Sequence, residues 1–267
     1  GKCTSDHPDL GPALPVEVLG AVLSEEGGEK GPARIQDRAL EPVYELRDSA
    51  PLVFVSGTSM DTGKTYAASQ IIRGLDERGH RVAAAKLTGA ALMRDARAME
   101  EHGAVTSATF MDAGAVSSTQ QEMGPLAKAI VKHLNKSDPE VIVLELGDGF
   151  IGYYGVDDLL MEKELQRFTR AHAVTATDLA GAWAADRLFR ERYQVPITLI
   201  TGPVTDNEVG TRYIQNRIGI PALNARQKPD DLVELIGHAI RSPRQQTPFQ
   251  SPEYDHHFRE EEPPEAD

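Results

Sequence analysis

The chain has 267 residues, of which 40% are hydrophobic, so it is long enough for one sizeable core with a small appendage. Its formal net charge of −13 disfavours partners that need clustered Lys and Arg, namely nucleic acid and anionic membranes. The chain has one cysteine, which excludes an internal disulfide framework. It has no apolar run near the about 20 residues of a membrane span and no apolar signal-peptide core. These features favour a cytoplasmic location.

Residues 1–48 are predicted to form a small β-rich N-terminal segment. Two short runs of β-forming residues, 15–23 and 33–42, flank the polar, glycine-rich stretch 24–32, which is typical of a turn. Because these runs are too short to bury a core alone, we expect them to pack on the residues that follow. At the other end, residues 243–267 are rich in proline and charge, which predicts a disordered acidic tail.

Residues 49–242 form the predicted main domain, in which strand patterns alternate with helix patterns. The run at 51–56 is apolar, as expected of a strand buried on both faces, and an amphipathic helix follows it from 64 to 78. The alternation continues with strands predicted at 81–89, within 104–114, and at 140–149, 171–178, 195–202 and 220–225, and helices at 94–103, 121–136, 157–170, 179–193, 207–219 and 229–242. This pattern predicts an α/β fold with a mostly parallel sheet flanked by helices.

A glycine-rich loop, GTSMDTGKT from Gly57 to Thr65, joins the first strand of this domain to its helix. Five residues separate its two glycines, where the usual phosphate loop has four. Gly57 is expected to allow a sharp turn, and Gly63 to let backbone N–H groups point inward at the positive end of the helix dipole. Lys64 is then expected to bridge the β- and γ-phosphates of a nucleotide, and the Thr65 hydroxyl to bind Mg²⁺.

Charged side chains lie at the ends of two other predicted strands. Glu145 and Asp148 belong to VIVLELGDG, where a carboxylate can hold Mg²⁺ directly or through water, although Asp148 also suits a turn. Lys86 belongs to the apolar strand AAAKLTG. It either reaches a functional partner or extends its ammonium to solvent at the strand tip.

Polar residues after two further strands allow a functional and a structural interpretation. Asp112 is a candidate metal ligand or base that faces the acceptor substrate. Ser117, Ser118 and Thr119, which follow it, suit either the binding of a substrate carboxylate or the capping of the next helix. Asp178 ends one strand and opens a helix, which favours a helix N-cap.

The loop GTSMDTGKT resembles the loop of dethiobiotin synthetases, in which the extra residue between the glycines is a family feature. The resemblance implies that the backbone from Thr58 to Thr62 wraps the phosphates and that Asp61 lies near the active centre. The nucleotide-binding residues that follow from it and from the loop pattern are Gly57, Thr58, Ser59, Met60, Asp61, Thr62, Gly63, Lys64, Thr65 and Asn207.

The same resemblance extends to three positions outside the loop. It implies a metal-binding carboxylate at about Glu145 and a functional lysine at Lys86, beside the transferred phosphate. It also implies that the loop 201–207 borders the adenine. Asn207 or Asp206 is then the candidate to bind the base edge, although both residue types are common in turns for conformational reasons alone.

Four motifs in order, GTSMDTGKT, AAKLTG, FMDAGAVSST and VIVLELGDG, resemble a bacterial group of P-loop proteins of largely unassigned function. That group lies near the family that contains D-glutamate N-acetyltransferase, and its members often carry a small β-rich segment ahead of the loop. The resemblance implies a P-loop NTPase fold and a bound nucleotide. It implies no particular substrate.

These patterns predict a P-loop enzyme that binds Mg-ATP and activates a small carboxylate or amine by phosphoryl transfer, with Lys64, Lys86 and Asp112 as catalytic residues. A second hypothesis is acyl transfer, in which the loop holds the phosphates of coenzyme A. A third is a nucleotide-driven switch for a partner protein, like the partition and metallochaperone ATPases, which dimerise over the nucleotide. Those ATPases commonly carry an additional lysine early in the loop, where this chain has Thr58-Ser59-Met60. The choice between ATP and GTP, and between a monomer and a homodimer, is left open.

Overall fold

The computed structural model of the protein describes residues 11–26, 29–90, 92–119 and 122–242. Cys3 and the predicted disordered tail lie outside the described residues. Within them, six parallel strands form one sheet and two short antiparallel strands form another. The predicted α/β fold with a small N-terminal β-rich segment is therefore confirmed.

The two sheets are built from eight strands. The small antiparallel sheet pairs β1 with β2, and the main sheet has the order β5-β4-β6-β3-β7-β8. The strands are β1 (Leu23–Glu26), β2 (Glu29–Pro32), β3 (Leu52–Gly57), β4 (Val82–Thr88), β5 (Thr106–Thr109), β6 (Val141–Leu146), β7 (Thr169–Thr175) and β8 (Leu199–Thr201). The chain moves from β3 towards one edge of the sheet through β5, and later from β7 towards the other. The carboxyl end of β3 therefore lies at a topological switch point, where ligands of open α/β sheets bind.

Helices connect the strands and cover both faces of the main sheet. The described helices are α1 (Lys64–Asp76), α2 (Met93–Glu101), α3 (Met123–Leu134), α4 (Val156–Met161), α5 (Lys163–Phe168), α6 (Leu179–Leu188), α7 (Glu208–Tyr213) and α8 (Pro229–Arg241). Single π-helical turns extend α6 through Tyr193 and α7 through Ile218. The predicted strand at 220–225 forms only one bridge, from Ala222 to Ile200 of β8. None of the helices in the described part of the chain is both long and apolar enough to cross a membrane.

The continuous apolar runs of the strands bury both faces of the sheet, as their sequences predict. All six residues of β3 are buried. Phe54 faces a core cluster shared with α3 and α6, whereas Val53 and Val55 face a cluster shared with α1 and α8. This two-sided burial holds the end of β3, and thus the loop that follows it, on a rigid support.

The N-terminal strands form at positions other than the predicted ones. β1 and β2 occupy the stretch that was predicted to be a turn, with Glu25 opposite Lys30 in the register and an ion pair of 2.8 Å between them. The apolar run 15–23 is mostly exposed, with Leu19 at 90%, and the run 33–42 contains a 3₁₀ turn at Ile35–Arg38. The prediction of strand positions was wrong, because among the described residues only Leu23 of the first run, and no residue of the second, pairs with another strand.

The second half of the N-terminal segment packs on the main domain. Leu46 is buried in the core cluster that contains Phe54. The backbone N–H of Leu46 donates to Glu164 of α5, and that of Ala50 donates to Asn135 at the end of α3. Leu40 is half-buried and packs against the same cluster, so residues from about 40 onward contact the core of the domain, as expected for a segment that packs on the residues after it.

Candidate active site

The glycine-rich loop leaves β3 at the carboxyl edge of the sheet and ends at α1. Gly57 does not have a positive φ, so it does not make the sharp turn that the sequence predicts. A Cβ atom there would lie 2.5 Å from the hydroxyl oxygens of both Thr62 and Thr175, so glycine is required by close packing. Gly63 has a φ of 91°, in the left-handed region, and directly precedes the first residue of α1.

The loop presents a row of unpaired backbone N–H groups. Among the hydrogen bonds of the described residues, none uses the backbone N–H of residues 59–66 as donor. The last three of these groups belong to the first turn of α1, a helix of 13 residues whose dipole places partial positive charge there. The segment therefore has the donors and the charge of an anion site.

Lys64 holds its ammonium inside the loop. Its side chain is buried, and Nζ donates to the carbonyl oxygen of Ser59 over 2.6 Å. Burial lowers the pKa of Lys64, and the nearby carboxylates of Glu145 and Asp148 oppose this effect in part. An anionic ligand in the loop would stabilise this desolvated cation.

Thr65 and Glu145 lie next to each other, as a metal site requires. The Thr65 hydroxyl donates to Oε1 of Glu145 over 2.8 Å, and Glu145 is 1% exposed. Its Oε2 is shielded from solvent and has no hydrogen-bond partner among the described residues. Burial raises the pKa of Glu145, and the charge of Lys86 counteracts that rise. A hydroxyl and an orphaned carboxylate oxygen are hard donors of the type that Mg²⁺ takes, so these residues fit Mg²⁺.

Asp148 stabilises a turn at the rim of the site. Its backbone has a φ of 69°, and its Oδ1 accepts a hydrogen bond from the backbone N–H of Gly149. The residue also lines the cleft beside the loop. The structure thus shows the turn role that the sequence allows, whereas contact with a metal stays a prediction.

Lys86 reaches a buried partner that the sequence analysis missed. Its Nζ lies 2.7 Å from Oδ2 of Asp95 in α2 and 3.7 Å from Oε1 of Glu145, and its side chain is 13% exposed. The alternative of a solvent-directed lysine is therefore wrong. Asp95 resembles an ordinary charged residue of a surface helix in the sequence. The signal that could have found it is the need of a lysine in an apolar strand for a nearby carboxylate.

A cleft of about 810 Å³ opens beside the loop and continues beneath α2. On the loop side and along the sheet edge it is lined by Met60, Asp61, Gly63, Lys64, Thr65, Tyr66, Lys86, Glu145, Gly147 and Asp148. The loop after β4, helix α2 and one residue before α4 also line it, namely Gly89, Ala90, Leu92, Arg94, Asp95, Arg97, Ala98, Glu101 and Tyr154. The loop, two lysines and two buried carboxylates, Glu145 and Asp95, thus line a space large enough for a second small molecule.

The remaining loop residues have distinct positions. The Thr62 hydroxyl is buried against that of Thr175, so its side chain supports the loop from beneath and only its backbone faces inward. The Thr58 hydroxyl is buried without a partner among the described residues. Ser59 contributes the carbonyl that Lys64 contacts, and its own hydroxyl bonds to the carbonyl of Met60.

Asp112 does not belong to this site. Its Oδ2 accepts hydrogen bonds from the backbone N–H and the hydroxyl of Thr109, its side chain is exposed, and it does not line the cleft. The prediction that Asp112 faces the acceptor was wrong because this aspartate closes the turn after β5. Ser118 accepts from the backbone N–H of Gly89 and holds the loop after β4, which is neither of its two predicted roles.

Asn207 and Asp178 act as helix caps. Each accepts a hydrogen bond from the backbone N–H of the residue three positions later, Gly210 and Gly181 respectively. The N-cap prediction for Asp178 is confirmed. The proposal that Asn207 binds the base edge is not supported, because its side-chain oxygen caps α7 and the residue lines neither cleft.

A smaller cleft of about 110 Å³ adjoins the loop on the side of β8. It shares Asp61, Gly63 and Tyr66 with the larger cleft. The rest of its lining comes from the loops after β8 and before α8, namely Thr201, Gly202, Pro203, Asp206, Asn224, Ala225 and Arg226. Asp206 was an alternative candidate in the sequence, whereas Asn224 and Arg226 were not identified because their loop carries no motif.

The fold and the loop define the class of the protein, an α/β domain of the P-loop type, in which a glycine-rich loop ending in Gly-Lys-Thr joins a buried strand to a helix. No protein-family model matches the chain, and no curated protein matches it. The narrower resemblance to dethiobiotin synthetases stays a prediction.

Three solved structures illustrate its similarity to known proteins. The signal recognition particle receptor FtsY from Elizabethkingia anophelis is 13% identical, with a TM-score of 0.49 over 78% of this chain and 70% of that chain. A DUF1611 family protein from Anabaena variabilis is 14% identical, with a TM-score of 0.49 over 75% of this chain and 63% of that chain. The hydrogenase maturation factor HypB from Archaeoglobus fulgidus is 10% identical, with a TM-score of 0.47 over 72% and 90%. At these values, the similarities identify no family for this chain.

Proposed function

We propose that the protein binds a Mg²⁺–nucleoside triphosphate on the loop 57–65 and transfers its γ-phosphoryl group to a small carboxylate or amine held in the larger cleft. The observation that carries this proposal is the convergence of Lys64, Thr65, Lys86 and Glu145 at the head of a cleft that continues beneath α2. A site for hydrolysis alone does not need that additional space.

Some of these residues bind the nucleotide, and others stabilise charge during the transfer. The unpaired N–H groups of the loop and the ammonium of Lys64 bind the phosphates. Thr65 and Glu145 would hold Mg²⁺, which when bound neutralises charge on the β- and γ-phosphates. Lys86, oriented by Asp95, stabilises the charge that spreads over the γ-phosphoryl oxygens during transfer.

The part of the larger cleft lined by α2 suits an anionic or polar acceptor. Arg94 and Arg97 line it from α2, and both are exposed. Guanidinium groups bind carboxylates in a bidentate manner, so they can orient an acceptor oxygen towards the loop. In the transfer step this oxygen bonds to the γ-phosphorus, the bond from that phosphorus to the β–γ bridging oxygen breaks, and the nucleoside diphosphate leaves.

The test is the release or transfer of a labelled γ-phosphoryl group from ATP and GTP, with a panel of small carboxylates and amines as acceptors. We expect turnover that requires Mg²⁺, stops in chelator and is lost in Glu145→Gln. The matched control is Glu234→Gln, which removes one carboxylate from an exposed position on α8 outside both clefts.

Two results would contradict the proposal. One is turnover in Glu145→Gln at the wild-type rate, which would remove Glu145 from the reaction. The other is acyl transfer from an acyl-coenzyme A that persists in chelator, since that reaction would replace phosphoryl transfer as the function of the loop.

A further inference from the structure

We propose that Asp95 accepts the proton of the acceptor substrate, and that this acceptor is a small hydroxy carboxylate whose hydroxyl oxygen receives the γ-phosphoryl group. The inference rests on the proposed function, because it assumes that phosphoryl transfer takes place in the larger cleft. It adds the chemical class of the acceptor. It also adds a catalytic role for a residue that the proposed function uses only to orient Lys86.

Asp95 is a buried carboxylate that lines the larger cleft. It is 6% exposed, and it lies on α2 with its side chain directed towards the sheet. Its Oδ2 lies 2.7 Å from Nζ of Lys86, which in turn lies 3.7 Å from Oε1 of Glu145. One lysine side chain therefore separates this carboxylate from Glu145, the residue proposed to hold Mg²⁺ beside the γ-phosphate.

The second oxygen of Asp95, Oδ1, is available to a ligand. It accepts no hydrogen bond from the part of the chain that the structure describes, and Nε of Arg94 lies 4.0 Å away, beyond hydrogen-bond distance. Nor does Oδ1 belong to the described side-chain atoms that are closed to solvent without a partner. An ionised carboxylate only accepts hydrogen bonds, so the group that Oδ1 would bind in the cleft is a donor.

This property of Oδ1 distinguishes between the possible nucleophiles. A carboxylate oxygen carries no proton at neutral pH, and Asp95 would repel it. An amine is protonated at neutral pH and has no lone pair for attack, and a carboxylate paired with a lysine is too weak a base to remove that proton. A hydroxyl group has a lone pair already, and an aspartate can accept its proton as the bond to phosphorus forms.

The carboxylate of the acceptor is expected to bind Arg94 and Arg97. These residues lie three positions apart on α2, so they are neighbours on its surface, and both line the cleft together with Asp95. A molecule that carries a carboxylate and a hydroxyl group can therefore contact the guanidinium groups and Oδ1 of Asp95 at the same time.

The transfer step is then balanced by residues of the cleft. The hydroxyl oxygen bonds to the γ-phosphorus, and the bond from that phosphorus to the β–γ bridging oxygen breaks. The hydroxyl proton passes to Oδ1 of Asp95, and the nucleoside diphosphate leaves with the electron pair of the broken bond. The product is a phosphate ester of the hydroxy carboxylate.

The test compares acceptors that share a carbon skeleton. The full chain is incubated with Mg-ATP or Mg-GTP and with lactate, propionate or alanine, which carry a hydroxyl group, a hydrogen atom or an amine at the same carbon. Phosphorus NMR identifies the products. We expect a phosphate ester of lactate, formed at least about tenfold faster than any product of propionate or alanine. This ester should resist hydroxylamine, which converts an acyl phosphate into a hydroxamate.

A variant tests the role of Asp95. Asp95→Asn should lower kcat with lactate by at least about a hundredfold and leave the Kd of the Mg-nucleotide within about twofold. Trifluorolactate has a more acidic hydroxyl group that depends less on a base, so the loss should be smaller with it. A role only in orienting Lys86 would lower both rates equally. Glu100→Gln, an exposed residue of the same helix outside both clefts, should keep the wild-type rates.

Transfer to propionate or alanine at or above the rate with lactate would overturn this inference and leave the proposed phosphoryl transfer intact. Equal losses with lactate and trifluorolactate in Asp95→Asn would overturn the role of Asp95 as proton acceptor. Absence of transfer to all three acceptors would overturn the proposed function and this inference together. Because the comparison of acceptors uses the wild-type protein, a misfolded variant would not prevent the test.

Discussion

At the scale of single residues, Lys64 combines a buried ammonium with a carbonyl partner inside the loop. We expect Lys64→Ala to abolish nucleotide binding, because the substitution removes the cation that faces the phosphates. The thermal midpoint without nucleotide should stay the same or rise, since burial lowers the pKa of this lysine and its charged form is therefore destabilised by folding.

Titration calorimetry for binding and a thermal melt for the fold test this prediction. Lys132→Ala, at an exposed position on α3, controls for the loss of one positive charge. Wild-type nucleotide affinity in a folded Lys64→Ala protein would show that the loop does not bind phosphates through this residue.

His172 predicts how stability depends on pH. It is fully buried, stacks on Phe54, and lies 2.8 Å from the side-chain oxygen of Gln166 through Nε2. Burial lowers its pKa to about 3 from the ordinary 6.5. Between these two values the unfolded chain binds a proton that the native protein does not. The contribution of neutral His172 to the free energy of unfolding is therefore complete above pH 6.5 and is lost as the pH falls.

We expect the free energy of unfolding of the wild-type protein to fall by about 2 kcal/mol more than that of His172→Phe between pH 7 and pH 5. Urea denaturation at the two pH values measures the difference. His238→Gln, at an exposed position on α8, should behave like the wild type. Parallel losses in the wild type and His172→Phe would mean that His172 does not resist protonation.

The residues of the site differ in how readily the sequence pattern identifies them. Lys64, Thr65 and Glu145 stand at fixed distances from glycines and strand ends, so the pattern alone places them. Asp95 and Asn224 do not, because each acquires its role from a partner that is distant along the fold rather than from a local motif. Asp112 was misassigned, and Asn207 caps a helix, for the related reason that an aspartate or asparagine in a turn serves the backbone as readily as a ligand.

At the scale of elements, the Lys86–Asp95 pair ties α2 to β4. We expect Asp95→Ala to lower the free energy of unfolding by about 2 to 4 kcal/mol, because among the described residues it leaves a buried ammonium with the more distant Glu145 alone as partner. The double variant Lys86→Met, Asp95→Leu should recover most of the loss, since it removes both charges and fills the space.

Urea denaturation of the two variants measures these effects. Glu101→Ala, an exposed residue in the same helix, is the control for the general effect of replacing an acidic residue by alanine. If Asp95→Ala and Glu101→Ala are equally stable, the pair does not hold α2 on the sheet.

The elements themselves were predictable to different degrees. β3 and β6 are buried on both faces and have continuous apolar sequences, so period and length identify them. The N-terminal strand pair has no such property. Its strands, LSEE at 23–26 and EKGP at 29–32, are mostly polar, while the apolar residues before them stay exposed. A local apolar pattern does not indicate which segment will pair with another strand.

At the scale of the whole molecule, burial predicts which part of the N-terminal segment can be removed. The described residues before Arg34 are almost all exposed, whereas Leu46 is 4% exposed and lies in the main core. We expect deletion of residues 1–33 to change the free energy of unfolding by less than about 0.5 kcal/mol.

Deletion of residues 1–48 should cost about 3 kcal/mol or more, because it removes the buried Leu46 and leaves the carboxylate of Glu164 without a hydrogen-bond donor from this segment. Urea denaturation of both truncated chains is the measurement. Equal stability of the two would show that residues 34–48 do not belong to the folded unit.

The shielded oxygen of Glu145 has a consequence for the order in which the components assemble. One oxygen of this carboxylate is occupied by Thr65, and the other is closed to solvent beneath the loop. A free hydrated cation therefore gains little by arriving first, since it would have to shed water and displace a hydroxyl without any phosphate to share its charge. Mg²⁺ is expected to bind together with the triphosphate and to dissociate with the diphosphate. The protein without nucleotide should then bind magnesium only weakly.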